Sequence, residues 1–341
     1  MPLDEGTWSN VEVIAGTGSP GKGGDNVLGT QSACNFPGGL SLVENANGDV
    51  TAVLIVDMNN HRLRQLDMST RIITTIAGTG LSGFSGDGGS AKDAQLWFPR
   101  HVSYDKSNGD IYIADANANR IRRVRGGIIT TVAGKTCALG EGLGDGGQAV
   151  DACLKTPSQF TINTAGEWLI ADRDNYRFRK VDSNGIITTV AGGGTEIGDA
   201  LATSVKLRGP EGVAFTPSGE LLVADYSISL TAFIRKMDHS GFMKVIAGGG
   251  SGSPPSNNPI RATTASIKPL AVAYARDGSD AIFIGDYNGF IFKLTNRTKC
   301  YGIESDNSDV CSGHGSCIGP DECECDSGWM EANCSRSDIT Q

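Results

Sequence analysis

The sequence contains no run of about 18 apolar residues, the length that a membrane-spanning helix needs, and so gives no expectation of a transmembrane segment. It has no long Lys/Arg cluster, and its formal net charge is −9. Phosphate-backbone ligands are held by clustered positive charge, so no nucleic-acid partner is expected. Met1-Pro2-Leu3-Asp4-Glu5-Gly6 shows neither the basic start nor the apolar stretch of a secretory leader, and no signal peptide is visible. Histidine is scarce: His61, His101, His239 and His314 are the full set. Neither Gly-x-Ser-x-Gly nor His-Glu-x-x-His occurs. A zinc site with three protein ligands is therefore not expected from histidine, and neither a metal nor another cofactor is assigned.

What the chain does have is glycine, 47 residues of it, and one phrase repeated five times. Ile73-Thr74-Thr75-Ile76-Ala77-Gly78 returns as Ile129 to Gly134 and as Ile187 to Gly192. Met243 to Gly248 is a divergent copy, and Val11 to Gly16 stands at the start. The phrase is β-branched, alternates and ends on glycine, which predicts a short strand closed by a turn. In front of each of the later four copies lie three further strand patterns. The second unit shows them as Pro99 to Tyr104, Ile111 to Asp115 and Arg120 to Val124. Four short strands per unit at a fixed period of this size predict an all-β chain built as a β-propeller.

Pro210-Glu211-Gly212-Val213-Ala214, Leu221-Leu222-Val223-Ala224-Asp225, Asn119-Arg120-Ile121-Arg122-Arg123-Val124 and Gly185-Ile186-Ile187-Thr188-Thr189-Val190-Ala191-Gly192 together resemble the NHL repeat. The resemblance covers residues 11–295 and implies a propeller, with residues 1–10 as a tail. Family propellers are often six-bladed. Counting units here gives five blades, with six as the alternative. The last unit, ending at Leu294, has no phrase behind it, so Val11 to Gly16 is expected to supply its fourth strand and protect two open edges. Asp57, Asp115, Asp172, Asp225 and Asp286 recur at one point of each unit and are expected to form turns. Arg62, Arg120 and Arg177, five residues further on, are their expected partners.

Six of the nine cysteines fall between Cys300 and Cys334. That density predicts a disulfide framework and an oxidising compartment, so an extracellular location is expected. Cys311-Ser312-Gly313-His314-Gly315-Ser316-Cys317 and the closing Cys325-Asp326-Ser327-Gly328-Trp329 to Cys334 resemble an EGF-like module over residues 296–341. That resemblance implies the pairs Cys300–Cys317, Cys311–Cys323 and Cys325–Cys334; spacing alone leaves the connectivity open. Two positions depart from the family pattern: Glu331 replaces a common glycine, and Asn296-Arg297-Thr298-Lys299 lacks the acidic residues of calcium-binding modules. No calcium is expected there. Asn296 begins an N-glycosylation sequon. Cys137 and Cys153 flank a glycine-rich loop and are expected to form a separate disulfide, leaving Cys34 as a buried free thiol.

The glycine loops around Asp25, Asp87 and Asp145 lack the Lys and Ser/Thr of a phosphate cradle and are expected to be turns between blades. Propeller sites lie at the central channel, lined by the start of each inner strand. Arg100, His101, Gln159 and Glu211 are the candidate binding set, with Ser158 beside them. The resulting expectation is a non-catalytic extracellular module that binds a protein or glycan. The alternative is a metal-dependent propeller hydrolase or lyase, similar to the lactonases, with a channel site. Glu211 is the residue closest to such a ligand set.

Overall fold

The computed structural model describes residues 12–163, 165–226, 232–250, 262, 266–274, 281–287 and 291–294, together with the backbone of short strands beyond 298. The chain falls into two compact units, Met1–Ala273 with Ile284–Ile291, and Tyr274–Phe283 with Phe292–Gln341.

Five antiparallel sheets form the blades of a propeller. Blade 1 comprises β1 (Val27–Leu28), β2 (Pro37–Glu44), β3 (Val50–Asp57), β4 (Arg62–Asp67) and β5 (Ile72–Ala77), in the order β1-β5-β4-β3-β2. Blade 2 is β6 (Pro99–Asp105), β7 (Asp110–Asp115), β8 (Arg120–Arg125) and β9 (Ile128–Ala133). Blade 3 is β10 (Pro157–Ile162), β11 (Trp168–Asp172), β12 (Arg177–Val181) and β13 (Ile187–Gly192). Blade 4 is β14 (Ala200–Leu201), β15 (Pro210–Phe215), β16 (Leu221–Asp225), β17 (Phe233–Met237) and β18 (Phe242–Gly248). Blade 5 has three strands, β19 (Pro269–Tyr274), β20 (Ile282–Asp286) and β21 (Ile291–Leu294). The short strands β1 and β14 pair with β5 and β18, and Ser90 and Gln148 make single bridges to Ile128 and Ile186. Each of the first four outer strands thus has its free edge partly covered, which removes a template for unwanted pairing.

The core lies between blades. Leu54, Val56 and Leu63 of blade 1 pack against Val102, Ile113 and Ile129 of blade 2. Tyr112, Ala114 and Ile121 then meet Phe160 and Ile170. Leu169, Ala171 and Phe178 meet Val213, Val223 and Met243. Strand alternation makes this possible, since each blade turns one apolar face back and one forward.

The repeated aspartates are fully buried in blades 1 to 4. Each accepts a backbone N–H from the loop leading into its own inner strand: Asn35 to Asp57 (2.7 Å), Trp97 to Asp115 (2.6 Å), Lys155 to Asp172 (2.7 Å) and Arg208 to Asp225 (2.7 Å). Lys268 N–H does the same for Asp286. The expected arginine partner is corrected. Of the three at five-residue spacing, Arg62 reaches its aspartate, while Arg120 and Arg177 donate to the carbonyls of Ala118 and Asn175. The shared partner is the next arginine of the strand, fully buried: Arg64 (3.7 Å from Asp57), Arg122 (3.2 Å from Asp115), Arg179 (3.2 Å from Asp172) and Arg235 (3.7 Å from Asp225). A register shift falls at each of these four arginines. A bulge re-aims a side chain that would otherwise continue the alternation.

The glycine loops have a definite task. Asp25, Asp87 and Asp145 bind Arg64, Arg122 and Arg179 at 2.9, 2.7 and 2.9 Å. The same carboxylates accept the hydroxyls of Thr75, Thr131 and Thr189, the second threonine of the phrase. Two carboxylates therefore clamp one guanidinium inside each of the first three blades. Burial pushes the Asp115 carboxyl up to about 7, against the opposing pull of the Trp97 N–H and Arg122.

Two further expectations are revised. Residues 12–16 are irregular and are not part of the β19-β20-β21 sheet. Gly16 N–H bonds Gly29 O at 3.0 Å, as Gly78 bonds Ala91 (2.9 Å) and Gly134 bonds Ala149 (2.8 Å). Ile14 and Ala15 pack on Val53, Ile55, Leu66 and Ile73 of blade 1. The segment keeps the phrase's place in front of the following blade, but among the described residues no strand pairs with it. Cys34 is half-buried, and burial followed by the nearby Asp57 charge raises its thiol pKa.

Cys137 and Cys153 are joined, with Cα atoms 5.7 Å apart, and staple the loop in front of blade 3. The tail contributes three hairpins, Lys299–Cys300 with Ile303–Glu304, Gly315–Gly319 with Glu322–Cys325, and Trp329–Met330 with Arg336–Ser337. Asn296 and the side chains of Cys300, Cys311, Cys317, Cys323, Cys325 and Cys334 lie outside the described residues.

Removing one partner of a buried ion pair leaves an uncompensated charge, so Arg122→Leu is expected to cost about 3–5 kcal/mol. Asp115→Asn should cost clearly less. Its amide oxygen still accepts the Trp97 N–H, and Asp87 still neutralises Arg122. Urea unfolding of the two variants tests the order; equal losses would show that the pair, not the clamp, carries the stability.

Candidate functional site

The inner strands place the candidate residues. Register shifts follow the prolines that open β6, β10 and β15. His101 pairs with Ala114, whereas the residues skipped by the pairing are Arg100, then Ser158 and Gln159, then Glu211 and Gly212. Ladder bonds that would fix these residues in plain alternation are interrupted there, so their side chains turn to the rim.

The structure brings Arg100 and Glu211 together. Arg100 Nη1 lies 3.5 Å from both Glu211 oxygens. A third residue, Arg173, joins them by donating Nε–H to Glu211 Oε1. Arg173 also pairs with Asp174 at 2.9 Å. Glu211 is buried, whereas both arginines stay partly exposed. Burial lowers the Arg173 guanidinium pKa, but the Glu211 charge and hydrogen bond outweigh it and leave the pKa raised. In blades 1 to 4 the buried aspartates and arginines find their partners within their own repeat. Glu211 of blade 4 is held from blade 2 by Arg100 and from blade 3 by Arg173.

Arg173 was not among the residues expected from sequence, yet the repeat carried a signal. The position after the recurring aspartate reads Met58, Ala116, Arg173, Tyr226 and Tyr287. A single charge in an otherwise uncharged column marks a departure that the fold itself does not need. The two tyrosines of that column stack at 5.8 Å, and the buried Tyr226 hydroxyl has no hydrogen-bond partner among the described residues.

Gln159 and Ser158 play supporting parts. Gln159 Oε1 accepts the Val213 N–H at 3.0 Å, and Ser158 Oγ is 3.0 Å from Pro210 O and 3.2 Å from Glu211 O. Both brace β15 from β10 and so set the position of Glu211. His101 stands apart from the carboxylate. It packs on Phe160 with ring centroids 5.1 Å apart, and Nδ1 lies 3.2 Å from Val102 O. Burial pushes its imidazole down to about 4, so at neutral pH it is uncharged. Elsewhere, Cys137, Cys153 and Glu141 converge closely enough for a metal ion, but both sulfurs are consumed by the disulfide.

Comparison with known proteins bears on the class. The EGF-like domain family matches residues 304–334. NHL repeat-containing protein 2 of Bos taurus is 24% identical over 248 residues, covering 64% of this chain and 33% of that protein. Teneurin-3 of Mus musculus is 26% identical over 267 residues, covering 69% of this chain and 9% of that protein. The chain thus matches a third or less of the length of these relatives. A chain in the crystal structure of a nidogen/laminin complex shares the fold, with TM-score 0.50, 14% identity and 78% of each chain covered. Blades, repeat and relatives define a β-propeller scaffold. This chain is a β-propeller whose repeats are similar to those of NHL repeat-containing proteins, and its residues 304–334 match the EGF-like domain family.

The lowered pKa of His101 has a sign. The unfolded imidazole protonates near 6.5 and the folded one near 4, so protonation favours unfolding as pH falls through that window. Wild type should lose melting temperature more steeply than His101→Gln between these two values. Parallel pH profiles of the two proteins in thermal melts would refute the burial of His101.

Proposed function

We propose that this chain is a non-catalytic extracellular binding module, and that its ligand, a protein or glycan, is engaged at the rim formed by Arg100, Arg173 and Glu211. The carrying observation is the arrangement of Glu211, a buried carboxylate held by two partly exposed guanidiniums from two other blades. Such a cluster is preorganised, since the carboxylate fixes both forks while leaving donors free on their outer sides. Arg guanidiniums of this kind are frequent anchors of protein interfaces. The Cys137–Cys153 disulfide and the EGF-like match support an oxidising, extracellular setting. The three EGF-type pairs and glycosylation at Asn296 belong to the same proposal. Catalysis by a channel metal is less well supported, because Glu211 is already engaged by Arg100 and Arg173 and His101 packs on Phe160.

The test is capture of extracellular-matrix and cell-surface proteins, alongside a glycan array, with wild type and Arg100→Ala/Arg173→Ala. A partner that wild type retains and the variant binds at least tenfold more weakly, with unchanged far-UV dichroism, is expected. Equal binding by both proteins would remove the rim from the reading. Calcium-dependent turnover of lactones or esters, lost in Glu211→Gln, would replace the reading with the enzymatic one.

A further inference from the structure

Blades 1 to 4 lie within one compact unit and share one repeat register, so each seam between two of them is a control for the others. The seam between blades 2 and 3 is closed by three aromatic rings. Tyr112 reaches forward from β7 and meets Phe160 and Trp168 of blade 3, with ring centroids 6.5 and 4.9 Å apart. Its hydroxyl lies 3.4 Å from Asp110 Oδ2, two residues back on the same face of the strand. One blade further on, the positions of Tyr112, Phe160 and Trp168 are taken by Leu169, Val213 and Leu221. Phe215 and Met237 stand where the previous seam has Ile162 and Val181, and return only part of the lost volume. A cavity of about 360 Å³ opens there among Leu169, Val190, Phe215, Leu221 and Met237.

The polar edge of the cavity repeats the partner of Tyr112 as well. Glu167 stands two residues before Leu169, as Asp110 stands two before Tyr112, and it too lines the cavity. Asp110 is held by Arg123 and Arg125. Glu167 is held by Lys180, at the repeat position of Arg123, and Asn163 donates to its other oxygen at 2.9 Å. The Lys180 hydrogen bond, followed by that of Asn163, lowers the Glu167 pKa, so the carboxylate is charged at neutral pH. A carboxylate offers about four lone-pair sites, and these two donors leave room for another. Apolar walls with a fixed polar group at this size are the make-up of a small-ligand pocket. We infer that the cavity between blades 3 and 4 binds a phenol ring, free or as a tyrosine side chain, with the ring against Leu169 and Phe215 and the hydroxyl donating to Glu167. The seam takes from outside the group that the preceding seam supplies from Tyr112. A ring without the hydroxyl would meet the same walls but give Glu167 no donor. The cavity uses none of Arg100, Arg173 and Glu211 and does not depend on the rim's function.

Ligand-observed NMR titration of the whole chain tests the inference, with p-cresol, with 4-methylanisole, whose ether cannot donate, and with N-acetyl-tyrosinamide. Wild type should bind p-cresol about tenfold more tightly than the ether, the worth of one hydrogen bond to a charged acceptor. Glu167→Gln should shrink that preference to about threefold or less, because its acceptor is neutral. Leu169→Tyr and Leu221→Trp each restore a ring of the preceding seam. Both should abolish p-cresol binding and hold or raise the melting temperature. Should either variant fail to fold, the other and Glu167→Gln carry the test. Competition of N-acetyl-tyrosinamide with p-cresol supports a tyrosine side chain as the source of the ring, and binding of p-cresol alone supports a free phenol. A wild type that binds no p-cresol up to its solubility overturns the inference. Equal binding of the ether does so too, as does p-cresol binding that the folded, ring-filled variants retain.

Discussion

The fold depends on a carboxylate buried at the end of the second strand of each blade. Asp57, Asp115, Asp172, Asp225 and Asp286 each hold the backbone of the loop that starts their own inner strand. In blades 1 to 4 a guanidinium pairs with this carboxylate, and in the first three a second carboxylate from the glycine loop pairs with the guanidinium. Desolvating such charges is costly, and their mutual attraction offsets the cost only when geometry and hydrogen bonds are complete. The bulge at the arginine and the threonine of the phrase supply part of that geometry, while Arg64 Nε, Arg179 Nε and Arg235 Nε have no hydrogen-bond partner among the described residues. The apolar residues then do the rest, filling the wedge between one blade and the next.

Much of this was legible in the sequence because it repeats. The five copies of the phrase announced strands, and the four strand patterns recurring in each unit announced the blades. The ion pair was legible in kind but not in partner. Arg62 and Arg64 are both available to Asp57, and only the local bulge decides that Arg64 turns inward. No spacing rule contains that decision, because ladder alternation alone would point the two arginines the same way. Residues 12–16 of the N-terminal phrase pair with no strand among the described residues, and the sequence names a strand without naming what lies beside it.

The rim shows the complementary case. Arg100, His101, Gln159 and Glu211 lie at the inner-strand starts, and the structure separates them by contact. Arg100 and Glu211 meet, Gln159 braces the backbone, and His101 serves packing. Arg173 escaped because a single residue was read within its own unit, where it follows an aspartate in a turn. Read down the column against Met58, Ala116, Tyr226 and Tyr287, it is the departure. Repeat proteins encode scaffold in what recurs, and the residues available for recognition are found among those that do not.

The glycine loop in front of each blade has a further consequence. Asp25, Asp87 and Asp145 each serve the blade that follows them in the chain, not the one they leave. The segment from loop to phrase therefore contains every partner its buried aspartate and arginine need. A gene duplication spanning that segment would deliver a blade whose internal charges are already neutralised, requiring of its new neighbours only apolar surface of the right size. Blade number in such a chain is then free to change by whole units without an intermediate that buries an orphaned ion. The exception is Glu211, whose arginines come from elsewhere, and a duplication inserted beside it would separate the three residues of the rim.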